Sequence, residues 1–293
     1  MAWLAAVPAG VLAVAPARAA DMTACTEATR ACLTASAMTY IEGLQKGDGA
    51  GVRFAPHVRR THNGGNKPEQ GAEVLRARVS QERLTGHRNL RLTVDEKKGD
   101  VFAFWVTGGP MPQTAHIAER VRVAKGLITE IEVFVVLDQR PAAEAAPVWP
   151  DENPATAAAA DTGPCATTRR DCMLAVANTY LDGLMVADGS KVKFSPDVRR
   201  AQNGRNIQIG EETLRASVAR EKLAFRRNFR LFADERSGDV VAIWITGTDT
   251  PTQKSTAHVI ERLRIAKGLI TEIEVFYPLE QGTLEGTSGW PDE

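Results

Sequence analysis

The chain has 293 residues, room for about two ordinary domains. Lys plus Arg and Asp plus Glu stand at 36 each, which argues against an electrostatic nucleic-acid binder and against a polybasic membrane anchor. A hydrophobic share of 43% is that of a globular protein with real cores.

Residues 1–20 read as a signal peptide. Met1 to Ala15 is apolar and Ala-rich, and Ala17-Arg18-Ala19 offers a small-x-small cleavage site. Pro8 and Pro16 interrupt the run, which is too short for a membrane span. A periplasmic or secreted protein is therefore expected. Cysteine usage fits that compartment. Cys25 and Cys32 recur at the same spacing as Cys165 and Cys172, which predicts one disulfide per copy. Seven residues along a helix rise about 10 Å, beyond the roughly 7 Å Cα separation that a disulfide spans. Cys25 and Cys165 should thus precede the helices that hold Cys32 and Cys172.

The chain is a tandem duplication. At an offset of 140, Tyr40, Gly43, Phe54, Arg60 and Asn63 match Tyr180, Gly183, Phe194, Arg200 and Asn203. A deletion then pairs Trp105 with Trp244, and an insertion pairs His116 with His258. The segment Gly126-Leu127-Ile128-Thr129-Glu130-Ile131-Glu132-Val133-Phe134 recurs as residues 268–276. The two copies occupy residues 21–137 and 165–280. An Ala/Pro-rich linker, 138–164, joins them, with Trp149 expected to pin it to the first copy, and a tail follows from 281 to 293.

Within one copy, apolar residues at helical spacing predict a helix over 28–46, stopped by Gly47-Asp48-Gly49. An extended segment runs through Val58-Arg59-Arg60-Thr61-His62 to an Asn63-Gly64 turn. A second helix is expected over 71–82. Leu90–Asp95 with Val101–Thr107, and Thr114–Val123 with Leu127–Val136, read as two hairpins. The order is α+β with antiparallel strands.

The long first helix, the Pro56-x-Val58-Arg59-Arg60-x-x-Asn63-Gly64 segment and the closing Gly126–Phe134 strand resemble the SnoaL-like branch of the nuclear-transport-factor-2-like (NTF2-like) superfamily. That resemblance implies a cone in each copy, a curved sheet wrapped around helices with a pocket inside. It also implies that copies pair sheet to sheet. Its members include isomerases, dehydratases, cyclases and non-catalytic proteins, so it does not name a reaction.

Alternation along Thr114–Val123 places Ala115, Ile117, Glu119, Val121 and Val123 on one face and His116, Ala118, Arg120 and Arg122 on the other. With the apolar face inward, Arg120 and Arg122 meet Glu130 and Glu132 outside as cross-strand pairs. Glu119, and Glu261 in the second copy, become lone carboxylates on an apolar inner face. Each should pair with an arginine, Arg60 or Arg200, or serve as a base with a raised pKa. Tyr40 and Tyr180 are expected to donate hydrogen bonds across the pocket, or to be core tyrosines. Arg60 and His62 share the parity of Val58 and point inward with it. Were the register opposite, His116 and His258 would be the pocket bases. Trp105 and Trp244 are candidate substrate contacts. Strand 101–107 is apolar on both faces, so its outer side needs a cover, and the second copy is the natural one.

No phosphate loop, His-x-x-x-His pair or Gly-x-Ser-x-Gly elbow is present, and no cofactor or metal is expected. Two readings follow. One is a cofactor-independent lyase, dehydratase or isomerase acting on a small apolar, aromatic or polycyclic molecule. Glu119 or His62 would be its base, with Tyr40 and Arg60 stabilising negative charge. The other is a non-catalytic binding or structural protein. Beyond the pairing of the two copies, further oligomerisation is open.

Overall fold

The computed structural model describes residues 27–138 and 169–281, apart from 66, 83, 109–113, 222 and 250–253. The expected signal peptide, Cys25, Cys165, Trp149 and nearly all of the linker and tail lie outside the described residues. The first copy runs α1 (Arg30–Lys46), β1 (Phe54–His62), β2 (Glu69–Gln70), α2 (Ala72–Gln81), β3 (Thr85–Asp95), β4 (Asp100–Gly108), β5 (Thr114–Ala124) and β6 (Leu127–Asp138). The second runs α3 (Arg169–Val186), β7 (Phe194–Gln202), β8 (Arg205–Ile209), α4 (Glu211–Arg220), β9 (Arg227–Asp234), β10 (Asp239–Asp249), β11 (Lys254–Ala266), β12 (Leu269–Phe276) and β13 (Leu279–Gln281).

Helix α1 begins where Thr29 Oγ1 accepts from the Cys32 N–H and ends at Gly47, whose φ of 63° lets its N–H return to the Gly43 carbonyl. Gly43 is small for a reason of packing. A Cβ there would stand 2.9 Å from both the Asp48 carbonyl oxygen and Val52 Cγ2. Gly183 repeats the constraint against Asp188 and Val192. At the end of β1 the Asn63-Gly64 turn has φ of 48° and 71°, which asparagine and glycine tolerate best. Asn63 Oδ1 then accepts the Val135 N–H at 2.8 Å and ties the turn to β6.

The strands order as β2-β1-β6-β5-β4-β3, and in the second copy as β8-β7-β12-β11-β10-β9 with β13 added beside β11. One expectation needs correction. The sheets are mixed and not purely antiparallel, because β1 runs parallel to β6 and β7 parallel to β12. The whole α2 and β3–β5 excursion separates β1 from β6, and a parallel neighbour needs such a long connection. Each copy has the arrangement that the resemblance implied, a sheet wrapped around helices, with α1 or α3 laid against its inner side. Leu33, Ala37, Tyr40 and Ile41 of α1 share one core with Ala103, Trp105, Ile117, Val121 and Ile131 of the sheet.

The convex faces meet each other. Phe102, Phe104, Ala118 and Phe134 form a single apolar layer with Phe232, Val241, Ile243, Ile260 and Phe276. The Phe102 and Phe232 rings lie 4.8 Å apart, and Phe104 and Phe276 6.0 Å apart. This is the cover that the doubly apolar β4 and β10 require, and it makes the chain an internal pseudo-dimer. It also explains why Arg120 is fully buried on what would be an outer face. Its guanidinium reaches Asp100 at 3.0 Å, Glu130 at 3.1 Å and Glu132 at 3.6 Å. Arg262 repeats the first two pairs with Asp239 and Glu272, both at 3.2 Å.

Candidate functional site

The concave side of each cone keeps a cavity, about 240 Å³ in the first copy and about 280 Å³ in the second. The strand register decides what lines it. On β5, Glu119 stands opposite Ala103 of β4 and Val133 of β6, two small inner-face residues that leave room above the carboxylate. Glu119 lines the first cavity with Arg60, His62 and Glu82, and Glu261 lines the second with Arg200, Trp244 and Glu221.

Around Glu119 three polar groups converge from three elements: Tyr40 from α1, Trp105 from β4 and Arg60 from β1. Glu119 and Trp105 are 1% exposed and Tyr40 is 0% exposed. Glu119 Oε2, the Tyr40 hydroxyl and the Trp105 indole N–H all lack a hydrogen bond of ordinary geometry. The second copy leaves the same atoms of Glu261, Tyr180 and Trp244 unpartnered. Burial pushes the Glu119 carboxyl up to about 7, against the opposing pull of Arg60 and of the nearby Trp105 and Tyr40 groups. Burial raises Glu261 further, to about 8, with Arg200 opposing. Both tyrosines are likewise pushed well above the usual phenol range by burial.

Arg60 does not form the ion pair with Glu119 anticipated from sequence. Its guanidinium pairs with Glu82 through two bonds of 3.0 and 3.1 Å and with Glu69 at 3.1 Å. Arg200 does the same with Glu221, supported by Gln208 and Ser217 at 3.4 Å. Glu82 and Glu221 cap the C-terminal ends of α2 and α4. Sequence reasoning passed over them, although their signal was available: Glu82-x-Leu84 recurs as Glu221-x-Leu223. Because its arginine is already neutralised, the Glu119 carboxyl is held in a cavity that favours its protonated form.

His62 stands at the mouth of the first cavity with solvent on one side, and burial together with the Arg60 charge lowers its pKa. His116 and His258 are not pocket residues. They lie on the convex face and reach into the other copy. A Cβ on Gly204 would stand 2.0 Å from His116 Nδ1, and one on Gly64 1.8 Å from His258 Nδ1. His116 Nε2 is 3.5 Å from Asp138. The inward reading of Glu119 holds, and the opposite register, with histidines as pocket bases, is overturned. Among the described residues no group of three or more His, Cys, Asp or Glu side chains is arranged to hold a metal ion.

The sequence profile described as "Domain of unknown function (DUF8021)" matches residues 26–135 and again 166–277. The chain belongs to the DUF8021 family. No curated protein shows a significant match to it. Solved structures similar to a single DUF8021 copy include a proposed polyketide cyclase from Silicibacter sp. TM1040 (20% identity, covering 37% of this chain and 90% of that one, TM-score 0.31). A proposed ketosteroid isomerase from Kribbella flavida DSM 17836 has 17% identity, coverage of 39% and 82%, and a TM-score of 0.31. An NTF2-like protein from Cytophaga hutchinsonii ATCC 33406 has 13% identity, coverage of 36% and 89%, and a TM-score of 0.31. Within the DUF8021 pair, the inner ends of the cavities agree residue for residue: Tyr40, Arg60, Glu82, Trp105 and Glu119 against Tyr180, Arg200, Glu221, Trp244 and Glu261. The mouths do not.

Proposed function

We propose that the first cavity performs cofactor-independent proton transfer on a small, largely apolar cyclic molecule, as an isomerase, lyase or dehydratase. The observation that carries this reading is a fully buried carboxyl, Glu119, held near 7 by burial, lining a cavity and flanked by the Tyr40 and Trp105 donors. A carboxyl poised near neutral pH serves as base in one step and acid in the next. Tyr40 and Trp105 supply the donors that a developing oxyanion would accept, and Arg60, neutralised by Glu82, stiffens the wall. A cavity of about 150 Å³ suffices for benzene, so about 240 Å³ favours a mono- or bicyclic molecule over a larger polycycle. Export as a periplasmic or secreted protein goes with this reading, supported by residues 1–20 and the two spaced cysteine pairs.

Hydrogen exchange at carbon tests the proton transfer itself, whatever the final product. Cyclic ketones such as 1-tetralone, 2-tetralone and cyclohexenone are incubated with the protein in D₂O, and deuterium entering carbon is followed by mass spectrometry. Wash-in above the buffer rate is expected for at least one ketone. It should fall by roughly 10²–10⁴ in Glu119→Gln, which keeps shape and removes the base. Wash-in that survives this substitution would remove Glu119 from the chemistry. A binding-only role is favoured for the second cavity, where Gln202 replaces His62 and Glu261 is held more firmly protonated.

A further inference from the structure

The two cavities share their inner ends and differ at their mouths. Among the described residues, His62, Leu84, Ala115, Val135 and Leu137 stand at the first mouth, apolar except for one imidazole. At the second stand Gln202, Leu223, Thr246, Ser255, Ala257 and Tyr277. The duplication turns this into an internal comparison: His62 corresponds to Gln202, and Val135 to Tyr277. Tyr277 packs against the apolar core of the second copy and lines the cavity, itself half-buried. The phenol therefore adds both an aromatic surface and a donor–acceptor group where the first copy has only a branched alkyl. Gln202 adds a neutral amide that can both donate and accept.

We infer that the two cavities select different ligands, with His62/Gln202 and Val135/Tyr277 as the specificity-determining pairs. The first takes a ring that is apolar where it meets the mouth, and the second takes a ring that carries hydroxyl groups there. This rests on the reading that both cavities hold small cyclic molecules. Burying an unsubstituted ring against Tyr277 and Gln202 strips water from groups that it cannot bond. A hydroxylated ring at the first mouth loses water against Val135 and Leu137 in the same way. One hydrogen bond at a half-exposed position contributes enough for about a tenfold difference in affinity.

The buried Trp105 and Trp244 make each cavity separately readable in the intact protein. Their indole N–H signals in a ¹⁵N-correlated NMR spectrum, assigned with Trp105→Phe and Trp244→Phe, are titrated with toluene and with 5-methylresorcinol. Toluene should shift the Trp105 signal at about tenfold lower concentration than the Trp244 signal, and 5-methylresorcinol should do the reverse. Exchanging the mouths, with His62→Gln/Val135→Tyr in one protein and Gln202→His/Tyr277→Val in another, should carry the preference with the residues. Equal midpoints for both probes in both cavities, or an order that the exchanges leave untouched, would overturn the inference while leaving small-molecule binding intact. Silence of both signals towards both probes would instead bring down the small-molecule reading itself, and this inference with it.

Discussion

Arg30 of the first copy grips Asp234 of the second through two parallel hydrogen bonds of 2.8 Å, and the pair is almost completely buried. Arg170 returns the same grip to Asp95 at 3.0 and 2.6 Å. Each aspartate also accepts a backbone N–H from the opposing edge strand, Val94 to Asp234 at 2.9 Å and Ala233 to Asp95 at 3.1 Å. A second set of exchanged pairs, Arg91 with Glu274 and Arg230 with Glu132, follows the same pseudo-two-fold. A self-complementary patch of this kind is what a two-fold interface generates, here within one chain. The fork of arginine suits the carboxylate, and the charge leaves water only because it is fully met.

Removing one partner should therefore be costly. Asp234→Asn is expected to destabilise the protein by about 3–5 kcal/mol, since Arg30 stays buried and loses its counter-charge. Asp95→Asn should cost a similar amount for Arg170. Guanidinium denaturation followed by circular dichroism measures both. A loss below about 1 kcal/mol in each would mean that the apolar layer alone holds the copies together.

The buried glutamates set a pH dependence whose sign is determined. Glu119 and Glu261 rise from an ordinary 4.5 to about 7 and about 8 in the folded state. A raised carboxyl pKa contributes stability that is fully present below about 4.5. It is lost as pH rises through about 7 for the first group and about 8 for the second. At 1.36 kcal/mol per unit this is roughly 3 kcal/mol for Glu119. The thermal midpoint should fall between pH 5 and 8.5, and the Glu119→Gln/Glu261→Gln double variant should flatten that slope. A wild-type midpoint constant over this range would contradict the burial argument.

Glu82 acts on Glu119 through Arg60. While it occupies the guanidinium, its own negative charge raises the pKa of Glu119. In Glu82→Gln, Arg60 keeps a full positive charge facing the cavity and the Glu119 pKa should drop. Carboxyl ¹³C shifts followed against pH would register the titration moving to lower pH. Movement to higher pH would show that Glu82 instead keeps Arg60 close to Glu119.

The cysteine pairs Cys25–Cys32 and Cys165–Cys172 should appear as disulfides when the full-length protein, expressed in its native host, is digested without reductant and mapped by mass spectrometry. Each would close a short loop onto the first turn of α1 or α3, so its reduction should lower stability by roughly 2–3 kcal/mol. Four alkylatable thiols in that protein would count against both the pairing and the proposed export.

Much of this molecule is written in local pattern. The repeat with its shifting offset, the helix ended at Gly47, the hairpin turns and the inward face of Glu119 all follow from spacing and from the two-residue period of a strand, which depend on neighbours in sequence. Even the need for a cover over β4 was legible, because a strand apolar on both faces cannot be left in water. Tertiary structure decided what depends on distant segments. That β1 joins β6 in parallel, that Arg60 pairs with Glu82 and Glu69 instead of Glu119, and that His116 seats on Gly204 of the other copy are outcomes of three-dimensional competition. An arginine chooses among several carboxylates by reach and burial, and sequence carries no ruler for either. The same residues could have satisfied Glu119. The fold placed Glu82 closer, and so left the carboxyl to the cavity.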